Sequence, residues 1–177
     1  MANKGKYYES QFEEATIELL HESHWQYAFG DDIHRKYTDP LIEEDLRNFL
    51  AVQYKDKNLT TSEMDSIVAN LRNTGGQNDY YALRNAFLLY RDGYDFAYSD
   101  GRDNPFRLEY IDFEHPDHNI FRCVNQFVME QGRENRRPDI LLFINGIPVC
   151  IIELKNPTNQ NATIRDAHTQ ICTRYMR

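Results

Sequence analysis

Hydrophobic residues in the first half of the chain recur every three to four positions, a spacing that is typical of amphipathic helices. This pattern predicts four helices, which cover about residues 8–24, 40–55, 61–71 and 78–92. The second helix has the clearest start, because Asp39 can cap its N-terminus and Pro40 suits the first helical position. We therefore predict a helical part that extends to about residue 93.

After this helical part, the hydrophobic pattern changes to the alternation that is typical of strands. Four strands are predicted over about residues 106–113, 121–129, 139–144 and 148–155, and a closing helix begins at about residue 162. The predicted fold class is α/β, with a mixed central β-sheet flanked by α-helices and preceded by the helical part. We expect one domain over residues 1–177. Because the closing helix stops without a cap, we also expect a longer parent chain.

Residues 138–155 predict a β-hairpin, because two strongly apolar strands flank the turn sequence Asn145-Gly146. Continuous apolar runs are typical of strands that are buried on both faces in the middle of a sheet. Three charged residues interrupt this background, namely Asp139, Glu153 and Lys155. A buried charge is costly unless it is paired or binds a metal, so these three are the candidate functional residues.

The length of the hairpin loop decides whether these charges meet. A two-residue loop would place Asp139 opposite Ile152 and would turn Glu153 to the other face of the sheet. A three-residue loop over residues 145–147 would place Asp139 directly opposite Glu153. Because Gly146 can adopt the left-handed conformation that such a loop needs, we predict the three-residue loop.

In that register, two carboxylates and one ammonium group converge on one face of the hairpin. Carboxylate oxygens suit Mg²⁺, and the backbone carbonyl of Leu154 could add a further ligand. A bound Mg²⁺ would polarise a phosphodiester, and Lys155 could orient water or stabilise the charge that develops on the phosphate. The predicted chemistry is hydrolysis of a phosphodiester bond. The alternative interpretation is an ordinary solvated strand end, since Glu-x-Lys is a common sequence.

Charge is unevenly distributed along the 177 residues, whose formal net charge is −8. The segment from Arg133 to Arg177 contains seven basic and four acidic residues, so the acidic excess lies upstream of the predicted hairpin. The acidic total argues against a protein that simply coats nucleic acid. It does not exclude a DNA enzyme, because a local site can differ in charge from the whole chain.

The sequence lacks the signals that are typical of several functional classes. No apolar run approaches the roughly 20 residues of a membrane helix, and no phosphate-binding GxxxxGK[ST] loop is present. The three cysteines form no CxxC pair, and we interpret them as reduced and mostly buried. The six histidines show no HxxxH or HExxH spacing, and we interpret them as surface or core residues. Without a signal-peptide core, the predicted location is the cytoplasm, with no membrane partner.

The pattern Asp139…Glu153-x-Lys155 on a hairpin resembles the PD-(D/E)xK nuclease superfamily. Further short motifs occur in order along the chain: Asp112-Phe113-Glu114-His115-Pro116, Asn119-Ile120-Phe121, Val124-Asn125-Gln126, Arg137-Pro138-Asp139, Phe143-Ile144-Asn145-Gly146-Ile147-Pro148 and Ile152-Glu153-Leu154-Lys155-Asn156-Pro157. With these motifs, the chain resembles the N-terminal nuclease domain of the type I restriction enzyme R subunit (HsdR). The resemblance is dense over residues 110–175 and looser upstream.

The resemblance implies a restriction-endonuclease-like fold and a type I site-specific deoxyribonuclease that cuts double-stranded DNA with Mg²⁺, which Mn²⁺ can replace. Asp139 and Glu153 would be metal ligands together with the Leu154 carbonyl, and Lys155 would be the catalytic lysine. In the whole R subunit, an ATP-driven motor follows this domain, so ATP would act only in motor domains outside this chain. The implied partners are DNA and the methylation and specificity subunits of the complex.

The resemblance also suggests two further site residues. Related nucleases often carry a Glu on the first helix near the metal, for which Glu13 is our choice and Glu14 and Glu9 are rivals. They also carry a Gln-x-x-x-Tyr motif on the helix after the lysine, which helps to place DNA. Gln170 matches its first position, but Tyr175 follows at i+5 rather than i+4. A solvated helix face is the alternative interpretation for these residues.

Basic residues near the hairpin and on the closing helix are candidates for contacts with DNA phosphates. The candidates are Arg136, Arg137, Arg165 and Arg174, with Arg133 and Arg177 nearby. For Arg133 and Arg136, a solvated loop is the alternative interpretation. No recognition helix is readable in the sequence, so we expect little base specificity.

Two alternatives to the restriction subunit stay open on the sequence. One is a different nuclease with the same Glu-x-Lys motif, such as a junction resolvase or a repair nuclease. The other is a non-catalytic DNA-binding or assembly module that keeps the fold without the chemistry.

Overall fold

The computed structural model describes residues 9–74, 78–131, 134–155 and 164–174, which contain five α-helices and eight β-strands. In chain order these are α1 (Glu9–Glu22), β1 (Gln26–Phe29), α2 (Glu43–Gln53), α3 (Thr61–Arg72), α4 (Asp79–Asp92), β2 (Tyr94–Phe96), β3 (Phe106–Leu108), β4 (Phe121–Asn125), β5 (Met129–Gln131), β6 (Glu134–Arg136), β7 (Ile140–Ile144), β8 (Ile147–Ile152) and α5 (Ile164–Arg174). None of the helices described here combines the length and the apolar character that crossing a membrane requires.

The chain folds into two compact units. The described residues up to Leu41, together with those from Phe121 onward, form the first unit, and Ile42–Ile120 form the second. This boundary differs from the predicted division near residue 93, because β1 joins the sheet of the first unit whereas β2 and β3 belong to the second. The expectation that residues 1–177 make one nuclease domain stays a prediction.

A four-stranded mixed sheet in the order β1-β4-β7-β8 forms the centre of the first unit, and it confirms the predicted α/β class. β1 runs parallel to β4, whereas β4, β7 and β8 are antiparallel neighbours. The buried apolar residues of this unit include Cys123, Val124, Phe127, Ile140, Leu141, Phe143 and Ile147. The strand predicted over residues 121–129 ends at Asn125, and a separate antiparallel pair, β5 and β6, follows it.

The hairpin turn between β7 and β8 contains two residues, so the predicted three-residue loop is wrong. Ile144 pairs with Ile147 across the turn. Asn145 has a φ of 51° and Gly146 a φ of 75°. Positive φ at both central positions characterises a type I′ turn, whose twist matches that of the two strands. The turn sequence therefore favours the shorter loop.

The register of the hairpin nevertheless brings the two predicted carboxylates together. The pairing shifts by one residue beyond Phe143, so that Ile140 lies opposite Ile152. One further step in the same register places Asp139 opposite Glu153. The extra residue that this alignment requires is accommodated by a β-bulge within β8 rather than by the loop.

β8 is the outer strand of the four-stranded sheet. The prediction that both hairpin strands lie in the middle of the sheet is therefore correct for β7, whose residues are buried or partly buried, and wrong for β8, where Val149 and Cys150 are exposed. Cys150 also contradicts the expectation of mostly buried cysteines, since only Cys123 is buried among the three and Cys172 is partly exposed. All three are free thiols.

The side chain of Arg35 connects the segment that follows β1 with the segment that follows β4. Its guanidinium lies 3.4 Å from the ring centroid of Phe127. It donates hydrogen bonds to the backbone carbonyls of Asp39, at 2.9 Å, and of Val128. Burial lowers the pKa of this arginine, and the nearby Asp39 charge acts in the opposite direction. The contacts with Phe127 and Val128 hold the chain in place directly after Gln126.

The second unit contains α2, α3, α4 and the two-stranded sheet β2-β3. Its core contains Leu46, Leu50, Ile67, Val68, Leu108 and Tyr110. α2 begins at Glu43, so the predicted start at Pro40 is wrong. The reason is local, because the Asp39 carboxylate accepts the backbone N–H of Leu41 at 3.1 Å instead of capping a helix. The strand predicted over residues 106–113 is shortened to β3.

Candidate active site

Asp139 and Glu153 lie at the open end of the hairpin, away from the turn. Asp139 directly precedes β7, and Glu153 directly follows β8. The Asp139 carboxylate accepts the backbone N–H of Leu154 through Oδ2, at 2.7 Å. Because Leu154 stands between Glu153 and Lys155 in the chain, this hydrogen bond ties the first predicted residue to the other two.

The Glu153 side chain is almost completely buried, with 1% of its surface exposed. Its Oε2 accepts a hydrogen bond from Nε2 of Gln170 at 2.7 Å. The ammonium of Lys155 lies 3.9 Å from the same oxygen, and the lysine side chain keeps access to solvent. The hairpin and α5 thus bring together four of the predicted site residues, Asp139, Glu153, Lys155 and Gln170.

Glu13 reaches this end of the sheet from α1. Its Oε1 accepts hydrogen bonds from Nδ2 of Asn125 at 2.9 Å and from Nε2 of Gln126 at 3.2 Å. The backbone N–H of Gln126 in turn donates to the carbonyl of Asp139 at 3.4 Å. Glu13 is therefore linked to Asp139 through one residue. The rival Glu14 is exposed, and the side chain of Glu9 lies outside the described residues.

Gln126 occupies an unusual backbone position, with a φ of 56°. It lies directly after β4, beside the end of β1. A Cβ atom on Gly30 would lie 2.4 Å from the carbonyl oxygen of Gln126, so only glycine allows this close approach. Gly30 therefore permits the backbone geometry from which the Gln126 side chain reaches Glu13.

An open groove of about 750 Å³ lies between α1 and the strands β1 and β4, and its lining includes Glu13, Tyr27, Asn125 and Gln126. The Tyr27 hydroxyl donates to Oδ1 of Asn125 at 2.9 Å. Burial raises the pKa of Tyr27, and the negative charge of Glu13 raises it further. The phenol therefore stays neutral at ordinary pH and can act as a hydrogen-bond donor in this groove.

Asn125, Gln126 and Tyr27 also lie at the candidate site, but the sequence reasoning gave them no role, although Asn125 and Gln126 occur in one of the motifs quoted above. A signal for two of them was present, because Asn125 and Gln126 are adjacent amides that directly follow the apolar residues Cys123 and Val124. The antiparallel pairing of β4 with β7 puts Asn125 opposite Ile140, next to Asp139. The sequence carried no comparable signal for Tyr27, because β1 was not predicted.

The predicted DNA-contact residues are distributed over several elements. Arg136 lies half-buried at the end of β6, Arg137 follows it and is exposed, and Arg165 is exposed in the first turn of α5. Arg174 ends α5, but its side chain lies outside the described residues, as do Arg133, Tyr175 and Arg177 entirely. Arg137 and Arg165 are therefore the candidates whose side chains are described as solvent-exposed.

The donor set at the open end of the hairpin has the chemistry that a hard divalent cation requires. Asp139 and Glu153 supply carboxylate oxygens, which Mg²⁺ prefers over nitrogen or sulfur. Neighbouring hydrogen bonds from Leu154 and Gln170 orient both carboxylates, as outer partners commonly do around metal ligands. The residues therefore fit a magnesium ion.

Comparison with known proteins gives a consistent result. The family model described as the type I restriction enzyme R protein N terminus matches residues 6–177. The chain is 29% identical over 175 residues to the type I restriction enzyme HindI endonuclease subunit of Haemophilus influenzae, covering 93% of this chain and 16% of that protein. It is also 29% identical over 163 residues to the putative type I restriction enzyme MjaIXP endonuclease subunit of Methanocaldococcus jannaschii, covering 88% of this chain and 16% of that protein. The chain thus spans about a sixth of the length of these relatives.

Proposed function

This chain belongs to the family of type I restriction enzyme R protein N termini, and from this premise we propose that it is a Mg²⁺-dependent DNA endonuclease domain that hydrolyses phosphodiester bonds. The family supports a restriction nuclease over a junction resolvase or a repair nuclease. The two relatives described above are named as restriction endonuclease subunits, which supports the same chemistry here.

One observation carries the proposal, namely the 2.7 Å hydrogen bond from the Leu154 N–H to the Asp139 carboxylate. It joins the two hairpin strands at their open end, where Glu153 and Lys155 flank Leu154. The Glu153 carboxylate is almost completely buried, the Asp139 carboxylate is partly buried, and an ammonium lies beside Glu153. This grouping of charges is costly for the fold alone, so its presence favours a functional role.

Asp139 and Glu153 would hold the ion, and the carbonyl of Leu154 is a further candidate ligand. When bound, Mg²⁺ would supply Lewis-acid polarisation of the scissile phosphodiester. Lys155 would provide positive charge beside the phosphate as negative charge develops on it. Gln170 would orient the Glu153 carboxylate through its hydrogen bond, and Glu13 would act with Gln126 to position the Asp139 backbone.

The partners follow from the whole subunit rather than from the present chain. Double-stranded DNA would be the substrate. Arg137, which shortly precedes Asp139 in the chain, and Arg165, which lies on the same helix as Gln170, would contact its phosphates. The methylation and specificity subunits would supply sequence recognition. ATP would be used only by motor domains outside the 177 residues. The complex would act in the cytoplasm.

Calorimetric titration with Mg²⁺ and Mn²⁺ tests the metal site without depending on cleavage. The wild-type chain is compared with the double variant Asp139→Asn, Glu153→Gln. Both changes preserve side-chain shape and remove the two negative charges, so metal binding at this site should be lost. The matched control is Asp56→Asn, which removes an exposed carboxylate in the second unit and should leave binding unchanged.

The same double variant in the assembled restriction complex tests the chemistry, with cleavage of plasmid DNA as the measurement. Loss of cleavage with normal DNA binding supports the proposed nuclease. Unchanged metal affinity in the double variant would refute the assigned ligands. Wild-type cleavage by the double variant would instead identify this chain as a non-catalytic module of the complex.

A further inference from the structure

A second cluster of potential metal ligands lies in the loop that follows β3 in the second unit. Asp112, His115 and His118 each place one ligand atom within 4.8 Å of the other two. The sequence spacing is Asp-x-x-His-x-x-His, which is neither of the histidine spacings considered above. Both histidines are exposed, which agrees with their interpretation as surface or core residues.

A short 3₁₀ helix over Pro116–His118 brings the two histidines together. Such a helix has three residues per turn, so side chains three positions apart are eclipsed. His115 precedes its first residue, and His118 is its last. The two imidazole rings consequently stack, with centroids 4.9 Å apart and an interplanar angle of 17°. Pro116 suits the first helical position, because its ring fixes φ near the helical value.

Asp112 is the fixed member of the cluster. Its side chain is buried, and Oδ1 accepts the backbone N–H groups of Glu114 at 3.1 Å and His115 at 2.8 Å. Its own backbone is held by Asn119, which accepts the Asp112 N–H at 2.9 Å and donates to the Asp112 carbonyl at 2.7 Å. These bonds orient the carboxylate so that Oδ2 faces the stacked rings.

The distances among the ligand atoms suit a small divalent cation. Oδ2 of Asp112 lies 3.0 Å from Nδ1 of His118 and 3.7 Å from Nδ1 of His115. Tetrahedral zinc with bonds of 2.0–2.1 Å separates its ligand atoms by about 3.3 Å, so the two distances lie on either side of the required value. Small rotations of two exposed imidazoles would equalise them.

The hydrogen-bonding capacity of Oδ2 also favours a cation over protons alone. This oxygen already accepts a hydrogen bond from Nε2 of Gln53 at 3.0 Å, which leaves one lone-pair direction for two imidazoles. That remaining direction can form a hydrogen bond with only one ring, and the ring at hydrogen-bond distance is that of His118, at 3.0 Å. A cation in the same place would be bound by the carboxylate and both imidazoles, with solvent supplying the remaining ligand.

We propose that Asp112, His115 and His118 form a binding site for a divalent transition metal of the zinc class, separate from the candidate nuclease site. Imidazole nitrogen together with carboxylate oxygen selects zinc, cobalt or nickel over magnesium, which prefers oxygen alone. The ion would link the buried Asp112 to the exposed 3₁₀ turn and would stabilise the loop.

The test uses the untagged 177-residue chain with Zn²⁺ in calorimetry and Co²⁺ in visible absorption spectroscopy. We expect one Zn²⁺ site and the visible absorption of tetrahedral Co²⁺. His115→Ala and His118→Ala change exposed side chains and should not prevent folding, which far-UV circular dichroism verifies. Each should weaken Zn²⁺ binding by more than about tenfold, the minimum effect of losing even an outer partner of a metal site.

The matched control is His168→Ala, because this exposed histidine lies 3.5 Å from the Cys172 thiol and could attract zinc independently. Zinc should raise the melting temperature of the wild type and of His168→Ala, but not that of the His115→Ala, His118→Ala double variant. Failure of the wild type to bind zinc, or zinc binding that survives the His115→Ala, His118→Ala double change, would overturn the proposal.

Discussion

Glu63 and Glu153 are two glutamates with the same burial and different surroundings. The Glu63 side chain is 2% exposed and its partner Arg102 is 30% exposed, while the Glu153 side chain is 1% exposed and its neighbour Lys155 is 26% exposed. The Glu63 carboxylate accepts hydrogen bonds from the two terminal guanidinium nitrogens of Arg102, at 2.8 and 2.7 Å. The Lys155 ammonium lies 3.9 Å from Glu153.

The difference separates a structural ion pair from a candidate catalytic one. Glu63 also forms a capping box with Thr60 at the start of α3, so the fold itself requires its charge. Glu153 contacts an amide and a more distant ammonium, both of which could reorient around a ligand. Burial alone therefore does not distinguish the two carboxylates, whereas the geometry of the cationic neighbour does.

Glu153→Gln should have the largest effect on activity. Loss of one carboxylate ligand removes several kcal/mol of transition-state stabilisation from the proposed metal, which corresponds to about a thousandfold in rate. The amide preserves the side-chain shape, so the melting temperature should change little. The measurement is single-turnover cleavage of plasmid DNA by the assembled complex. Near-normal cleavage would place Glu153 with Glu63 as a structural residue.

Lys155→Met should lower cleavage by about 100- to 1000-fold, the usual cost of losing one group that stabilises developing charge. Methionine retains most of the aliphatic stem, so folding and metal affinity should persist. The comparison variant is Arg102→Met, which breaks a bidentate ion pair with a buried partner and should lower the melting temperature instead. If Lys155→Met instead lowers the melting temperature and leaves cleavage unchanged, the assignment of Lys155 is wrong.

Glu63→Gln should lower the melting temperature at neutral pH by several degrees, because it removes the charge that Arg102 and the capping box bind. Arg102 and the Thr60 backbone N–H lower the pKa of Glu63 from 4.5 to about 2. A lowered folded-state pKa stabilises the fold above pH 4.5, and this contribution disappears as the pH falls toward about 2. The difference in melting temperature between wild type and variant should shrink over that range. A constant difference would contradict the role of the Glu63 charge.

Gly146→Ala should have the smallest effect. Alanine at a φ of 75° is strained, at a cost of about 1 kcal/mol in the free energy of unfolding. The bulge lies within β8, so the register of Asp139 with Glu153 should survive, and metal affinity should remain normal. Urea denaturation measures the first effect and calorimetry the second. Loss of metal binding in this variant would show that the turn, not the bulge, controls the register.

The sequence predicted the hairpin well because its signals are local: two apolar runs and an Asn-Gly turn. It did not predict where the extra residue would lie. Phe143 pairs with Pro148, which has no N–H to donate, and the next pair on the other side of Val149 is Leu142 with Cys150. The bulge therefore accompanies a proline in an outer strand, and Pro148 was the sequence signal that could have indicated that outer position.

The features that the sequence did not predict depend on contacts between distant segments. β1 has only four residues, which are mostly exposed, and it becomes a strand by pairing with β4 almost a hundred positions later. The contacts of Glu13 with Asn125 and Gln126 depend on that pairing. The 3₁₀ turn that stacks His115 on His118 is too short to give a periodic signal.

The most direct test of the catalytic assignment is the position of a bound metal. Crystals of the chain soaked in Mn²⁺ should show anomalous difference density between the carboxylates of Asp139 and Glu153, and this density should be absent from the Asp139→Asn, Glu153→Gln double variant. Manganese density elsewhere, with none at the open end of the hairpin, would contradict the account.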